Sequence, residues 1–90
     1  MRAVLIPALP AMLAACTATQ PSQDDLRPRQ EAACTATIAA HVGRPSSEVT
    51  SRWLSETGGI AQIEARDGNR LHVCQVDASG RVLGYIHPGY

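Results

Sequence analysis

The distribution of apolar residues changes character several times along the chain. Residues 3–13, AVLIPALPAML, form an apolar run behind one charge, Arg2. Residues 17–30, TATQPSQDDLRPRQ, are polar, contain two prolines and have no apolar period, so they read as a flexible tether. From residue 30 the pattern becomes helical. QEAACTATIAAHVG places Cys34, Ile38 and Val42 four apart on one face, with His41 beside them. Alanine, the best helix former, fills much of the rest. Gly43 suits the position just past a helix, and Pro45 forbids continuation. Beyond it the period drops to two. Residues 49–55 (VTSRWLS) put Val49 and Trp53 on one face, and residues 60–66 (IAQIEAR) alternate Ala61, Ile63 and Ala65 against Gln62, Glu64 and Arg66. Residues 70–76 (RLHVCQV) and 81–87 (RVLGYIH) read as two more strands. TGG, DGN and DASG are turn signals between them. The pattern predicts an α+β fold: one N-terminal helix over a four-stranded antiparallel meander, in the order α-β-β-β-β.

The apolar start is shorter than the roughly 20 residues a membrane span needs, and Pro7 and Pro10 would interrupt a helix there. It fits an export signal. It ends in Leu13-Ala14-Ala15-Cys16, a large apolar residue, two small ones and a cysteine. This quartet resembles the lipobox of bacterial lipoproteins. The resemblance implies diacylglycerol on the Cys16 thiol, cleavage before Cys16, and acylation of the new amino group. The hexapeptide AACTAT around Cys16 recurs at residues 32–37, but that copy follows RPRQE rather than an apolar run, so Cys34 is no second lipobox. The expected organisation is a signal peptide at 1–15, a lipidated cysteine and tether at 16–30, and a small domain at 31–90. Thr17, where enteric lipoproteins kept at the inner membrane carry Asp, favours the outer membrane, facing the periplasm.

Once Cys16 carries lipid, Cys34 and Cys74 remain as an even pair in an exported chain, and the default is a disulfide. A domain of about 60 residues has a marginal core, and such domains often depend on a covalent staple. This bond would tie the helix to the third strand and turn His72 and Val76 toward the helix. Leu71 and Val73 would then face away, which requires either a partly covered second face or a bulge that shifts the register. The frame AC…I…VG followed by C…DASGRV resembles a group of small exported proteobacterial proteins with a helix cysteine, a late-strand cysteine and a GRV-type end strand. The likeness covers residues 33–90 and implies the fold and the disulfide; it brings no catalytic motif. HVGRP, RLHV and VDASGRV are also similar to small bacterial relatives of the potato inhibitor I type of protease inhibitors. That likeness implies a long reactive-site loop, yet the residues between Gly43 and Arg70 are already claimed by two strands.

Charge and chemistry narrow the function. After the signal, seven arginines stand against eight carboxylates, with no lysine and no basic cluster. Trp53, Tyr85 and Tyr90 are the only aromatics. A nucleic-acid surface needs a basic stripe or a stacking platform, so nucleic acid is not an expected partner. Ser46 and Ser47 read as turn residues, and Glu48, Glu56, Glu64 and Asp77 as solvated ones. HExxH, GxSxG, P-loop and CxxC motifs are absent from the sequence. The sharpest chemical alternative is a Cys2His2 metal site from Cys34, His41, His72 and Cys74, in competition with the disulfide. His87 has no companion in any motif. Trp53 is either core or an exposed contact for a partner. The expectation is therefore a membrane-anchored envelope lipoprotein without cofactor or catalysis. Its periplasmic domain binds an envelope protein or the cell wall, or is structural.

Overall fold

A computed structural model describes residues 23–89, with the backbone alone for Gln23 and Asp24. The apolar start and Cys16 lie outside the described residues. Among the described residues, a single helix, α1 (Gln23–Val42), is followed by one 3-10 turn (Ser46–Glu48) and four strands: β1 (Val49–Thr57), β2 (Ile60–Asp67), β3 (Arg70–Asp77) and β4 (Val82–Ile86). All neighbouring strands pair antiparallel in the sheet order β1-β2-β3-β4. The α+β meander expected from the hydropathy pattern is the architecture found.

The helix is longer than its apolar pattern. It takes in residues 23–30, placed in the tether by composition, and so passes through Pro28. Proline removes one backbone donor and crowds the carbonyl four residues back. Side-chain contacts with the sheet hold this segment in place. Gln30 Nε2 donates to the Asp77 carbonyl at 2.9 Å, and Glu31 Oε2 accepts the Trp53 backbone N–H at 2.7 Å. Trp53 Nε1 donates to Gln30 Oε1 at 3.0 Å, and the Arg27 guanidinium lies 3.9 Å above the Trp53 ring. At the other end Gly43 (φ 72°) closes the helix, and Arg44 N–H bonds back to the Ala39 carbonyl at 3.0 Å. That is the six-to-one bond of a Schellman cap.

One face of the sheet carries the core. Cys34, Ile38 and Ala39 of α1 meet Val49, Ala61, Ile63, Ala65, Cys74 and Val76, with Ala33, Val42, Trp53 and Val82 around them. β2 presents Ala61-x-Ile63-x-Ala65 to the helix. The two alanines let the helix approach closely, and Ile63 fills the space between. Cys34 and Cys74 form the expected disulfide, both fully buried, with Cα atoms 5.9 Å apart.

The tension at Leu71 and Val73 resolves without a shift between β2 and β3, which pair in unbroken register. Both residues point to the sheet face opposite α1, where neighbouring side chains leave them half-buried. The irregularities lie elsewhere: at Leu54 in β1 and at Leu83 in β4. Residues 78–81 connect β3 to β4, with the Asp77 N–H bonded to the Arg81 carbonyl. Gly80 N–H bonds to the Asp77 carbonyl, and Gly80 then takes φ 88°, a left-handed value that an L-residue adopts only under strain.

Candidate functional site

The extra residue at Leu83 decides what the end of β4 can do. Val76 pairs with Val82, but Cys74 pairs with Tyr85 and Val73 with Ile86. Val82 and Tyr85 are three apart, yet both face the helix. In an unbroken strand, residues three apart face opposite ways. A one-residue slip flips every later side chain, so the bulge turns Tyr85 and His87 toward α1. Without it both would face the opposite side of the sheet.

Three imidazoles and a phenol therefore meet at the C-terminal end of α1. His41 comes from the last helical turn, His72 from the helix-facing row of β3, and His87 from just beyond β4. One ring nitrogen from each histidine lies within 4.8 Å of the others. The His72 ring stands edge-on to His87 at 4.5 Å and to His41 at 5.8 Å, and His41 and His87 are 5.5 Å apart. His41 is exposed, His87 half-buried and His72 only 1% exposed. The Tyr85 hydroxyl is 3.1 Å from His41 Nδ1.

His72 is the anomaly. Its Nδ1 is buried and has no hydrogen-bond partner among the described residues. Leaving a buried polar group unmade costs about 1–3 kcal/mol. Burial pushes its pKa below the ordinary 6.5, and the neighbouring His87 and His41 rings, then Arg70, push the same way against Asp67. His72 is thus a neutral imidazole at pH 7, with a lone pair to offer. Neutral imidazole is the form that ligates metal ions.

The sequence-derived site residues divide on this geometry. His41 and His72 do come together, but Cys34 and Cys74 are bonded to each other in the core, so the four do not form a Cys2His2 site. His87, which no motif marked, takes the place beside them. Trp53 is half-buried and tied to Arg27 and Gln30, so its indole works inside the domain as a clamp on the helix. Ser46 and Ser47 sit in the exposed 3-10 turn. The long loop implied by the inhibitor likeness has its place taken by β1 and β2, joined through Gly58 and Gly59 alone. A shallow depression of about 420 Å³ on the strand pair β1–β2 is lined by Thr50, Ser51, Arg52, Glu64 and Arg66. Across it Glu64 Oε1 lies 3.3 Å from Arg52 and 4.0 Å from Arg66. Asp67, 2% exposed, is likewise held between Arg44 at 3.1 Å and Arg70 at 2.8 Å.

No family model matches the chain, and neither does any curated protein or solved structure.

Proposed function

We propose that this protein is a lipid-anchored component of the bacterial cell envelope, whose disulfide-stapled domain serves as a binding or structural module and not as an enzyme. The observation that carries the reading is Leu13-Ala14-Ala15-Cys16 at the end of an apolar run. The Cys34–Cys74 disulfide supports it, because such bonds persist in oxidising compartments such as the periplasm. The long helix modifies the picture. Six residues, 17–22, separate Cys16 from the first helical residue, Gln23. Fully extended they span at most about 20–22 Å, so the domain would stay close to the bilayer that holds it. His41 lies 18 residues along the helix from Gln23, roughly 27 Å at the helical rise. The histidine cluster thus lies at the opposite end of α1 from Gln23.

The test is metabolic labelling with a fatty acid. Wild-type protein should take up label and partition into detergent, and Cys16→Ser should do neither. Each buried CH2 contributes about 0.8 kcal/mol to membrane binding, and more than one acyl chain makes the anchoring stable. Label retained in Cys16→Ser sinks the reading.

A further inference from the structure

We infer that His41, His72 and His87 form a binding site for a borderline divalent transition metal of the zinc, copper or nickel class, with a fourth position open to water or an outside ligand. The inference goes beyond the envelope reading and stands whether or not Cys16 carries lipid.

The donor set selects the ion class. Three imidazoles suit zinc, copper and nickel, whereas magnesium and calcium prefer oxygen donors. The spacing is that of an open site. Zinc–nitrogen bonds of about 2.0–2.1 Å in tetrahedral geometry put ligand nitrogens about 3.3–3.4 Å apart. Here one nitrogen of each ring lies within 4.8 Å of the others. Closure of a little over an ångström completes the site, and the exposed His41 has room to rotate. His72 forms the buried wall, and its Nδ1 has no hydrogen-bond partner among the described residues. A metal-ligating histidine commonly uses its other nitrogen to contact a group that fixes the ring. Tyr85 is placed to do this for His41, with its hydroxyl 3.1 Å from Nδ1, which leaves Nε2 for the ion.

Two features of the fold brace the cluster. The disulfide joins the helix of His41 to the strand of His72, seven residues from the one and two from the other. The bulge at Leu83 brings Tyr85 and His87 to the helix side together. Bulges commonly serve to re-aim side chains beside functional sites. Coordination by all three histidines also gives the buried His72 ring a partner.

The experiment uses the full chain, purified in detergent without reductant and stripped with a chelator. Zinc chloride is titrated in, with magnesium chloride as the hard-cation control, by competition against a chromophoric chelator and by NMR of the imidazole protons. The expected result is one zinc per chain, no magnesium uptake, and shifts of all three histidine rings. His41→Ala and His87→Ala should each weaken zinc binding by more than about 100-fold, and Tyr85→Phe by about tenfold, the lower end of what loss of an orienting partner costs. His41 is exposed and His87 half-buried, so their variants should keep the disulfide and the unfolding midpoint of the metal-free protein. His72→Ala, which opens a hole in the core, is not needed for the decision. Substoichiometric uptake at millimolar zinc overturns the inference, as does undiminished binding in the His41→Ala/His87→Ala double variant.

Discussion

Opening the disulfide should remove about half of the stability of this domain. The bond joins residues 40 apart in sequence. The chain-entropy relation for a loop of that length gives about 13 cal/mol/K, or about 3.9 kcal/mol at 25 °C, lost to the unfolded chain by the cross-link. A single core of this size rarely supplies more than about 3–5 kcal/mol without such a staple. Reduction should therefore leave the folded state with no more than that. Cys34→Ala/Cys74→Ala should go further, because both sulfurs are fully buried. Removing two buried atoms of roughly methylene size adds about 1.6 kcal/mol. The assay is urea unfolding of the full chain followed by far-ultraviolet circular dichroism. Three samples are compared: oxidised, reduced in urea and refolded under reductant, and the double alanine variant. The difference between the last two isolates the packing contribution from the entropy of the cross-link. Helix signal should fall ahead of strand signal, since the disulfide is the covalent link between α1 and the sheet. A reduced chain whose stability falls by less than about 1 kcal/mol would refute the reasoning. The helix would then be held by its apolar packing on the sheet and by the contacts of Gln30, Glu31 and Trp53.

Those contacts make a second prediction: Trp53→Phe should lose about 2–3 kcal/mol by the same assay, combining the Nε1 bond to Gln30, the stranded Gln30 Oε1 and the Arg27 contact. A loss under 0.5 kcal/mol, roughly the lower bound for one net hydrogen bond, would return Trp53 to the surface as a free contact residue. The β3–β4 turn carries one acid-sensitive group. The Ser79 hydroxyl, then the Arg81 and Ser79 backbone N–H groups, hold the Asp77 carboxyl below its ordinary 3.8 against a small opposing effect of burial. With the folded pKa depressed, the stability this group lends is present above the unfolded value and is lost as pH falls through the folded one. Carbon-detected NMR titration should find Asp77 protonating below 3.8, and Ser79→Ala should raise that value; a titration at or above 3.8 in the wild type contradicts the assignment.

What the sequence made legible follows from how local each signal is. The strands of β2 and β3 appear in the alternation of Ala61, Ile63 and Ala65 and in the turn DGN, because both depend on neighbours only a few residues away. The stop at Gly43 is equally local. The helix start was not, because residues 23–29 are mostly polar and contain Pro28, and this end of the helix is tied to distant strands through Gln30, bonded to Trp53, Val76 and Asp77, and through Arg27 over the Trp53 ring. Tertiary contact overrode local preference there. The histidine cluster was half visible: Cys34 and His41 share a helix face, and His72 and Cys74 share a strand face. His87 was hidden by register. Read from Val76 opposite Val82, an unbroken hairpin places His87 opposite Leu71, on the far side of the sheet. Only the bulge at Leu83 moves it across, and an exposed leucine between a valine and a glycine carries no signal of a bulge.

The disulfide and the histidines share one seam, and that couples them thermodynamically. On the helix, His41 lies seven residues from Cys34, about 10.5 Å along the axis. On the strand, His72 lies two residues from Cys74, about 6.6–6.8 Å away. A metal joining His41 to His72 therefore restrains the same pair of elements that the disulfide restrains. With the disulfide intact, the helix is already docked, and ion binding need only close the imidazoles. With it open, binding must also dock the helix, and the apparent affinity falls by the fraction of molecules that are docked. Linkage is reciprocal: whatever factor the disulfide adds to metal affinity, the metal adds to the persistence of the docked, oxidised fold. Zinc at 100 times its dissociation constant would add about 2.7 kcal/mol to the folded state, much of the roughly 3.9 kcal/mol that reduction removes. Reduced protein should thus regain helix signal on addition of zinc, and lose that gain in His87→Ala. Released thiols offer zinc a competing Cys34, His41, His72, Cys74 set, and the dependence on His87 separates the two. Recovery that ignores His87 would mean that the cysteines, once free, take the ion instead.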